Sequence, residues 1–266
     1  MTLLAVLCIT AVVLRRQTFR VRWESSATAG LALIAVGILL STTDTLDARL
    51  EHWFGVAHLD DFAGNLCYLA AGLCFTVHAL ERLAPAPQRR QIIKSWFEGP
   101  LTLVVALMFA CLVLGEGCSD RLLLTHSDGA FDWLDAYATV WYAGMAYLAA
   151  FNGRLMLMLR TETRDCTLCM YIGNCVTSII ACFLRATAAI FDSSTIDGWA
   201  YAFGSASVIL ICTAASWSWH KKMAPYRRLI RATRTRPTMY DVTRLFRRAA
   251  LTPSWAKERP GPLQPS

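Results

Sequence analysis

The chain has 266 residues, of which 55% are hydrophobic and only 17% charged, and its mean hydropathy is +0.40. A soluble domain carries about a quarter charged residues, so this composition excludes an ordinary soluble protein. Long apolar runs indicate instead an all-α polytopic membrane protein, because about twenty apolar helical residues cross the hydrocarbon layer. The net charge of +7 does not by itself indicate nucleic-acid binding, since nearly half of the basic residues follow Trp219, in a tail next to the last apolar run.

Seven apolar runs predict seven transmembrane helices. Ser95 and Glu98 have the spacing of a capping box and Pro100 follows them, which places the start of the fourth helix there. The first run gives only about 21 Å of helix, so it either continues towards Phe19 or begins before Met1. The predicted helices cover residues 1–14, 27–43, 62–80, 95–115, 133–151, 171–191 and 199–217.

The loops between these runs alternate in charge. The odd-numbered loops and the tail hold all but three of the lysines and arginines. The even-numbered loops hold Arg49 and Arg121, and Arg185 lies within a run. By the positive-inside rule, this asymmetry predicts an N-terminus outside and a C-terminus inside. The expected location is the cell membrane, crossed several times.

Arg185 is the one full charge inside the sixth run. It lies about 9 Å below the nearer interface, where a charge costs at least about 2–3 kcal/mol unless it is hydrated or paired. Its long stem can bring the guanidinium to the headgroups. The alternative is an acidic partner in the bundle. Asp135, at the outer end of the preceding run, is the first candidate and Asp192 is the second.

Polar side chains inside the runs are the candidate binding groups. They either line a path for a solute or bond to neighbouring helices. The candidates are Arg185, Asp135, Asn65, Asn152, Asn174 and His78.

Small residues four apart recur in three of the runs and let helices approach closely in lipid. Packing within one bundle is the expected use, and a homo-oligomer face is the alternative. The sets are Ala63, Cys67 and Ala71; Ala146 and Ala150; Ala202 and Ala206.

The chain after the last run is basic. A juxtamembrane segment, residues 220–252, follows the transmembrane bundle of residues 1–219 and contains a predicted amphipathic helix that begins at Thr238. Residues 253–266 are rich in proline and are predicted to be disordered. The segment is expected to meet anionic inner-leaflet lipids of the bilayer. A protein partner is left open, and nucleic acid is not expected. The membrane-surface residues are Arg227, Arg228, Arg231, Arg234, Arg244, Arg247 and Arg248.

The sequence contains no recognisable catalytic set. Cys166 and Cys169 form a C-x-x-C pair, but no second pair or histidine lies near enough in sequence to complete a four-ligand zinc site. Retinal needs a lysine inside a helix, and every lysine lies in a loop or the tail. Bis-histidine haem needs two membrane histidines, whereas only His78 lies in a run. No catalytic residue, metal or cofactor is therefore predicted.

The chain resembles a family of bacterial seven-helix membrane proteins that are described as transporters or membrane regulatory proteins. The likeness covers the pattern of runs over residues 1–222 and the outer segment LEHWFGVAHL, residues 50–59, before the third run. The resemblance implies an all-α bundle and supplies no catalytic residues. Family members often continue into a longer cytoplasmic domain, in place of which this chain has a brief basic tail.

These observations predict a non-enzymatic membrane module that acts by binding, as a regulator or sensor whose basic tail contacts the inner leaflet or a partner. The alternative is a transporter or channel for a small solute, with Arg185 and Asp135 lining its path. A third interpretation is a thiol-redox membrane enzyme that uses Cys166 and Cys169.

Overall fold

The structure, a computed structural model, describes residues 2–20, 22–42, 53, 58–115, 133–162, 165–191 and 193–233, and these are almost entirely helical. A 3₁₀ turn, Arg16–Arg20, follows the first helix, and a π-helical turn, Lys94–Glu98, joins the fourth helix to the fifth. The α-helices are α1 (Thr2–Leu14), α2 (Arg22–Leu40), α3 (Leu59–Leu83), α4 (Ala86–Ile93), α5 (Gly99–Leu114), α6 (Trp133–Glu162), α7 (Cys166–Phe191) and α8 (Ser194–Thr233).

Within the part of the chain that the structure describes, four stretches of helix are long and apolar enough to cross a membrane: Leu59–Leu83, Ala86–Leu114, Cys166–Ala188 and Ser194–Ala224. Shorter apolar helices cover Leu3–Leu14 and Glu24–Leu40. The prediction of an all-helical protein with membrane-type helices is confirmed. The count of seven spans and their orientation stay predictions.

Neighbouring helices form a closed ring. In order around it, α1, α2, α3, α6, α7 and α8 each pack on the next, and α8 packs back on α1. Helix α5 lies against α6. At the closing contact, the sulfur atoms of Cys8 in α1 and Cys212 in α8 are 3.5 Å apart and both side chains are buried. The ring places the first and last predicted spans side by side.

The fourth predicted helix begins earlier than expected. Helix runs on from Ala86, and the Ser95 hydroxyl donates to the carbonyl of Gln91, 2.9 Å away, so Ser95 lies within helix and does not cap one. Pro100 has no N–H for the carbonyl of Trp96 one turn before it. The hydroxyl of Tyr147 in α6 donates to that carbonyl at 2.5 Å. A π turn just before a proline is thus tolerated because a side chain from α6 supplies the missing donor.

The helices extend past their apolar runs on the basic side. Helix α3 ends at Leu83, α6 at Glu162 and α8 at Thr233, whereas their predicted spans end at residues 80, 151 and 217. Arginine and lysine favour helix almost as well as alanine, so a basic segment next to a span continues its helix. Hydropathy therefore predicts where the apolar part of each helix lies, but it does not predict the residue at which the helix ends.

The close contact between α2 and α3 depends on glycine. A Cβ atom added at Gly37 would lie 3.1 Å from the carbonyl oxygen of Gly64 and 3.1 Å from the ring of Tyr68. One built at Gly30 would lie 3.3 Å from the carbonyl oxygen of Ala71. Ala71 is one of the small residues noted in the third run, and here such residues serve packing within one chain.

We expect Gly37→Leu to lower the free energy of unfolding by about 1–3 kcal/mol, because the added side chain must push α2 and α3 apart. Gly204→Leu in α8 is the matched control, since no atom lies within 4 Å of a Cβ placed there. Thermal unfolding in detergent micelles measures both variants. Equal midpoints for the two would contradict the role given to Gly37.

Candidate functional site at the basic end of the bundle

Charged side chains from two helices and the turn after α1 converge on Glu24, in the first turn of α2. Glu24 and the three basic residues Arg15, Arg82 and Lys222 are called the Glu24 cluster below. Arg15 follows α1, Arg82 lies in the last turn of α3, and Lys222 lies in α8. All four belong to the end of the bundle where the basic loops are, the end that the charge pattern predicts to lie inside.

The carboxylate of Glu24 is bound at both oxygens. Arg15 Nη2 is 2.7 Å from Glu24 Oε2, and Lys222 Nζ donates to Oε1. Arg82 Nη2 lies 3.8 Å from the same Oε1. The side chains of Arg15 and Glu24 are each 1% exposed, so this is a buried ion pair and not a surface one.

Arg15 also fixes the chain around it. Its Nε donates to the hydroxyl of Thr28 over 3.2 Å, and its Nη1 donates to the carbonyl of Ala215 in α8. The hydroxyl of Thr18 donates to the Arg15 carbonyl over 2.6 Å, which closes the turn after α1. One guanidinium therefore ties the end of α1 to both α2 and α8. A planar group with five donors suits this better than a lysine ammonium does.

The cluster opens towards solvent at two of its members. Arg82 is 35% exposed and Lys222 is 28% exposed, in contrast to Arg15 and Glu24. Behind Arg82, the buried His78 places its Nε2 3.0 Å from Arg82 Nη2. A neutral imidazole protonated at Nδ1 accepts this bond. His78, a candidate binding residue from the sequence, thus positions Arg82.

A second ion pair lies beside the cluster. Arg89 Nη1 is 3.5 Å from Glu81 Oε1, and Glu81 Oε2 accepts a 3.2 Å bond from the hydroxyl of Ser26 in α2. The segment after α3 is joined in this way to α2 as well. The charges of this pair balance each other.

The importance of Glu24 was missed at the level of sequence. A tally of lysines and arginines for orientation passes over an acidic residue in a basic loop. The signal was present, because Glu24 is the only acidic residue between Met1 and Thr43 and stands at the start of an apolar run. Lys222 was likewise assigned to the tail, whereas the structure includes it in the bundle together with the buried Met223. Helix α8 therefore continues past residue 219, where the bundle was predicted to end, and the division of the chain at that residue stays a prediction.

At the opposite end of the bundle, Arg185 forms an ion pair with Asp197, in the first turn of α8. The sequence analysis favoured Asp135 and then Asp192 as partners. The Arg185 side chain is 20% exposed and that of Asp197 is 39% exposed, so the pair lies at the mouth of the helices. Asp192 lies outside the described residues.

We expect Asp197→Asn to lower the free energy of unfolding by no more than about 1 kcal/mol, since a partly exposed ion pair is screened by water. A double-mutant cycle with Arg185→Gln measures the coupling of the two side chains directly. Coupling well above this value would mean that the pair is desolvated in the membrane.

The candidate asparagines bond to neighbouring helices at separate places. Asn65 donates to the Tyr137 hydroxyl over 2.8 Å, and Asn152 donates to the Gly72 carbonyl over 3.2 Å, both between α3 and α6. The structure does not bring these asparagines together into one site. Asn174 belongs to another interface, where its Oδ1 accepts a 2.8 Å bond from Ser207 between α7 and α8.

Only some of the predicted surface arginines lie in the part of the chain that the structure describes. Arg227, Arg228 and Arg231 lie on the last turns of α8. Residues outside the described ranges include Arg234, Arg244, Arg247, Arg248, the predicted amphipathic helix and residues 253–266.

The C-x-x-C pair begins α7. Cys166 and Cys169 are both exposed there. Within the described ranges, no three histidine, cysteine or acidic side chains form a group that could hold a metal ion. Nearby, Lys221 Nζ is 3.1 Å from Asp165 Oδ2, in a pair whose side chains are 63% and 36% exposed. Partial burial acts to raise the pKa of Asp165, but the Lys221 ammonium and the bonds from Thr167 outweigh it and lower that pKa.

Comparisons with family models, with curated protein sequences and with solved structures found no match to this chain.

Proposed function

We propose that the protein is a non-enzymatic membrane module that acts by binding, and that α8 links the state of its helix bundle to a basic segment at the inner leaflet. The observation that carries this proposal is the length of α8. Ser194–Thr233 has 40 residues, or about 60 Å of helix, whereas the hydrocarbon layer is about 30 Å thick. One helix therefore continues out of the bundle into the basic segment without a break.

The Glu24 cluster holds α8 where it leaves the bundle. Trp219 and Met223 are buried on either side of Lys222, and Lys222 binds Glu24. Pro225 lies three residues after Lys222 and cannot donate to the Lys221 carbonyl, so the helix is more easily bent just beyond the anchored turn. Whether Lys222 is bound to Glu24 thus decides how the part of α8 beyond Pro225 leaves the membrane.

The segment of the chain that follows Pro225, called the extension of α8, carries charge suited to an anionic surface. Arg227, Arg228, Arg231 and Arg234 follow one another within eight residues of the sequence, and each basic residue near an anionic leaflet contributes about 1 kcal/mol of attraction. The charge pattern of the loops places this segment on the inside. We propose the same orientation for the module, with seven spans and the N-terminus outside.

Trypsin cleavage of the full chain in lipid nanodiscs tests the role of the extension. We expect cleavage after Arg227 and Arg228 to be several-fold slower with phosphatidylglycerol present than in phosphatidylcholine alone, and the protection to disappear at high salt. A variant with Arg227, Arg228, Arg231 and Arg234 changed to glutamine is cleaved at its remaining basic sites equally fast in both lipids. Equal rates for the natural chain in both lipids would remove the proposed role of the extension.

The same trypsin assay on Glu24→Gln tests whether the bundle acts on the extension of α8. Lys222 then loses its carboxylate, and we expect the lipid-dependent protection of the extension to change. Asp165→Asn is the control, because it removes the exposed partner of Lys221 one residue away. Protection that is identical in all three chains would mean that the bundle does not act on the extension.

Transport of a small solute past Arg185 and Asp135 is the second candidate. Contacts between helices account for the donor side of the Asn65 and Asn152 amides, whose Nδ2 atoms bond to Tyr137 and Gly72, and this favours the binding module. If proteoliposomes showed solute flux and Arg185→Ala abolished it, transport would replace the binding module as the first candidate.

A further inference from the structure

The Glu24 cluster carries more positive than negative charge. Arg15, Arg82 and Lys222 are three cations around the single carboxylate of Glu24. The neighbouring Glu81 and Arg89 balance each other and do not change this sum. The cluster therefore has an excess of two positive charges, next to a carboxylate that is almost completely buried. Unbalanced charge in such surroundings is costly, and an anion offsets that cost.

The basic residues that carry the excess positive charge are arranged around an opening. Lys222 and Arg82 come from different helices, α8 and α3, and approach the same oxygen, Glu24 Oε1. Because both are about one-third exposed or slightly less, they form the open side of the cluster. Arg15 closes the buried side, where it is held by Thr28 and by the Ala215 carbonyl.

The two residues at the opening are chemically matched to phosphate. A guanidinium offers a planar pair of donors, a lysine ammonium offers a compact charge, and proteins use both to hold phosphate oxygens. His78 orients Arg82 from behind through the 3.0 Å contact between Nε2 and Nη2. A buried partner of this kind fixes the direction of the guanidinium before a ligand arrives.

We propose that the Glu24 cluster binds a phosphate-bearing anion between Arg82 and Lys222. The anion is either free in the inner aqueous phase or the headgroup of an inner-leaflet phospholipid. The site stands on the geometry of the cluster and does not require the extension of α8 to act on anything. It deepens the proposed function by naming the ligand class that the module binds.

The first test is calorimetric titration of the full chain in neutral detergent with inorganic phosphate, at an ionic strength held constant with chloride. We expect saturable binding, which Arg82→Gln and Lys222→Gln each weaken at least tenfold. Lys221→Gln is the matched control, because Lys221 is 63% exposed and pairs with Asp165 outside the cluster. Arg82→Gln keeps the test decisive should Lys222→Gln not fold, since Arg82 is a more distant and more exposed partner of Glu24.

The second test uses phosphatidylcholine nanodiscs with and without phosphatidylglycerol. Phosphate that raises the thermal midpoint in phosphatidylcholine alone identifies a free ligand. A midpoint raised only by phosphatidylglycerol, with the rise lost in Arg82→Gln but kept in the variant that lacks Arg227, Arg228, Arg231 and Arg234, identifies a headgroup.

Two results would overturn the site. One is that neither phosphate nor phosphatidylglycerol produces binding or a midpoint shift. The other is that Lys221→Gln lowers the affinity for phosphate as much as Lys222→Gln does, which would indicate general attraction to a basic surface. Failure of the trypsin assay with intact phosphate binding would refute the role of the extension and leave the site in place.

Discussion

Glu24→Gln is expected to lower the free energy of unfolding by about 3–5 kcal/mol, because it leaves the buried Arg15 without a counter-charge. Stabilities of folded proteins are about 5–15 kcal/mol, so the loss is a large part of the whole. Unfolding in mixed micelles, with the denaturing detergent increased stepwise, measures it.

The order of effects among the partners is part of this prediction. Arg15→Met leaves Glu24 with Lys222 and Arg82, so it is expected to cost less than Glu24→Gln. Asp165→Asn is the control, since its pair with Lys221 is exposed and contributes at most about 1 kcal/mol. Arg15→Met as costly as Glu24→Gln would show that the bonds to Thr28 and Ala215 matter more than the charges.

Replacing Glu24, Arg15 and Lys222 together by Leu, Met and Met is expected to recover most of the stability. Apolar residues of similar volume often replace buried ion pairs without loss. The triple variant also separates stability from function, because it keeps the fold while removing the proposed phosphate site. It should not bind phosphate.

The helices could be predicted from the sequence, whereas their partners could not. Apolar runs located the described membrane-type helices, because a spanning helix must satisfy its backbone internally and present apolar side chains along its length. That α8 closes a ring on α1 depends on packing between residues 200 positions apart, such as Arg15 and the Ala215 carbonyl. A single sequence holds no direct record of such a pair.

The candidate site shows the same division. Arg185 was predicted either to reach the headgroups or to pair with Asp135 or Asp192, whereas its partner in the structure is Asp197. The sequence alone does not distinguish among the acidic residues near that end. Ser95 and Glu98 matched a capping box, yet the Tyr147 hydroxyl on α6 allows helix to continue through this segment. The role of Glu24 could not be predicted, because it depends on contact with Lys222, which lies almost 200 residues later in the last helix.

Labelling of native cysteines is the test with an all-or-none outcome. Cys166 and Cys169 are exposed at the start of α7, on the basic side of the bundle. In a Cys118→Ser chain, which lacks the cysteine predicted in an outer loop, a membrane-impermeant maleimide should leave intact cells unlabelled and should label inside-out vesicles.

Adding Cys166→Ser and Cys169→Ser should abolish labelling in those vesicles as well, because the remaining cysteines lie within the apolar helices, which a membrane-impermeant reagent does not enter. These are Cys8, Cys67, Cys74, Cys111, Cys175, Cys182 and Cys212. Labelling of the Cys118→Ser chain in intact cells would place the basic end outside. The Glu24 cluster would then face the wrong compartment for an inner-leaflet headgroup, and the extension of α8 would have no anionic inner surface to meet. An inner-leaflet headgroup ligand and a lipid-binding extension both require this orientation, and the maleimide labelling pattern tests it.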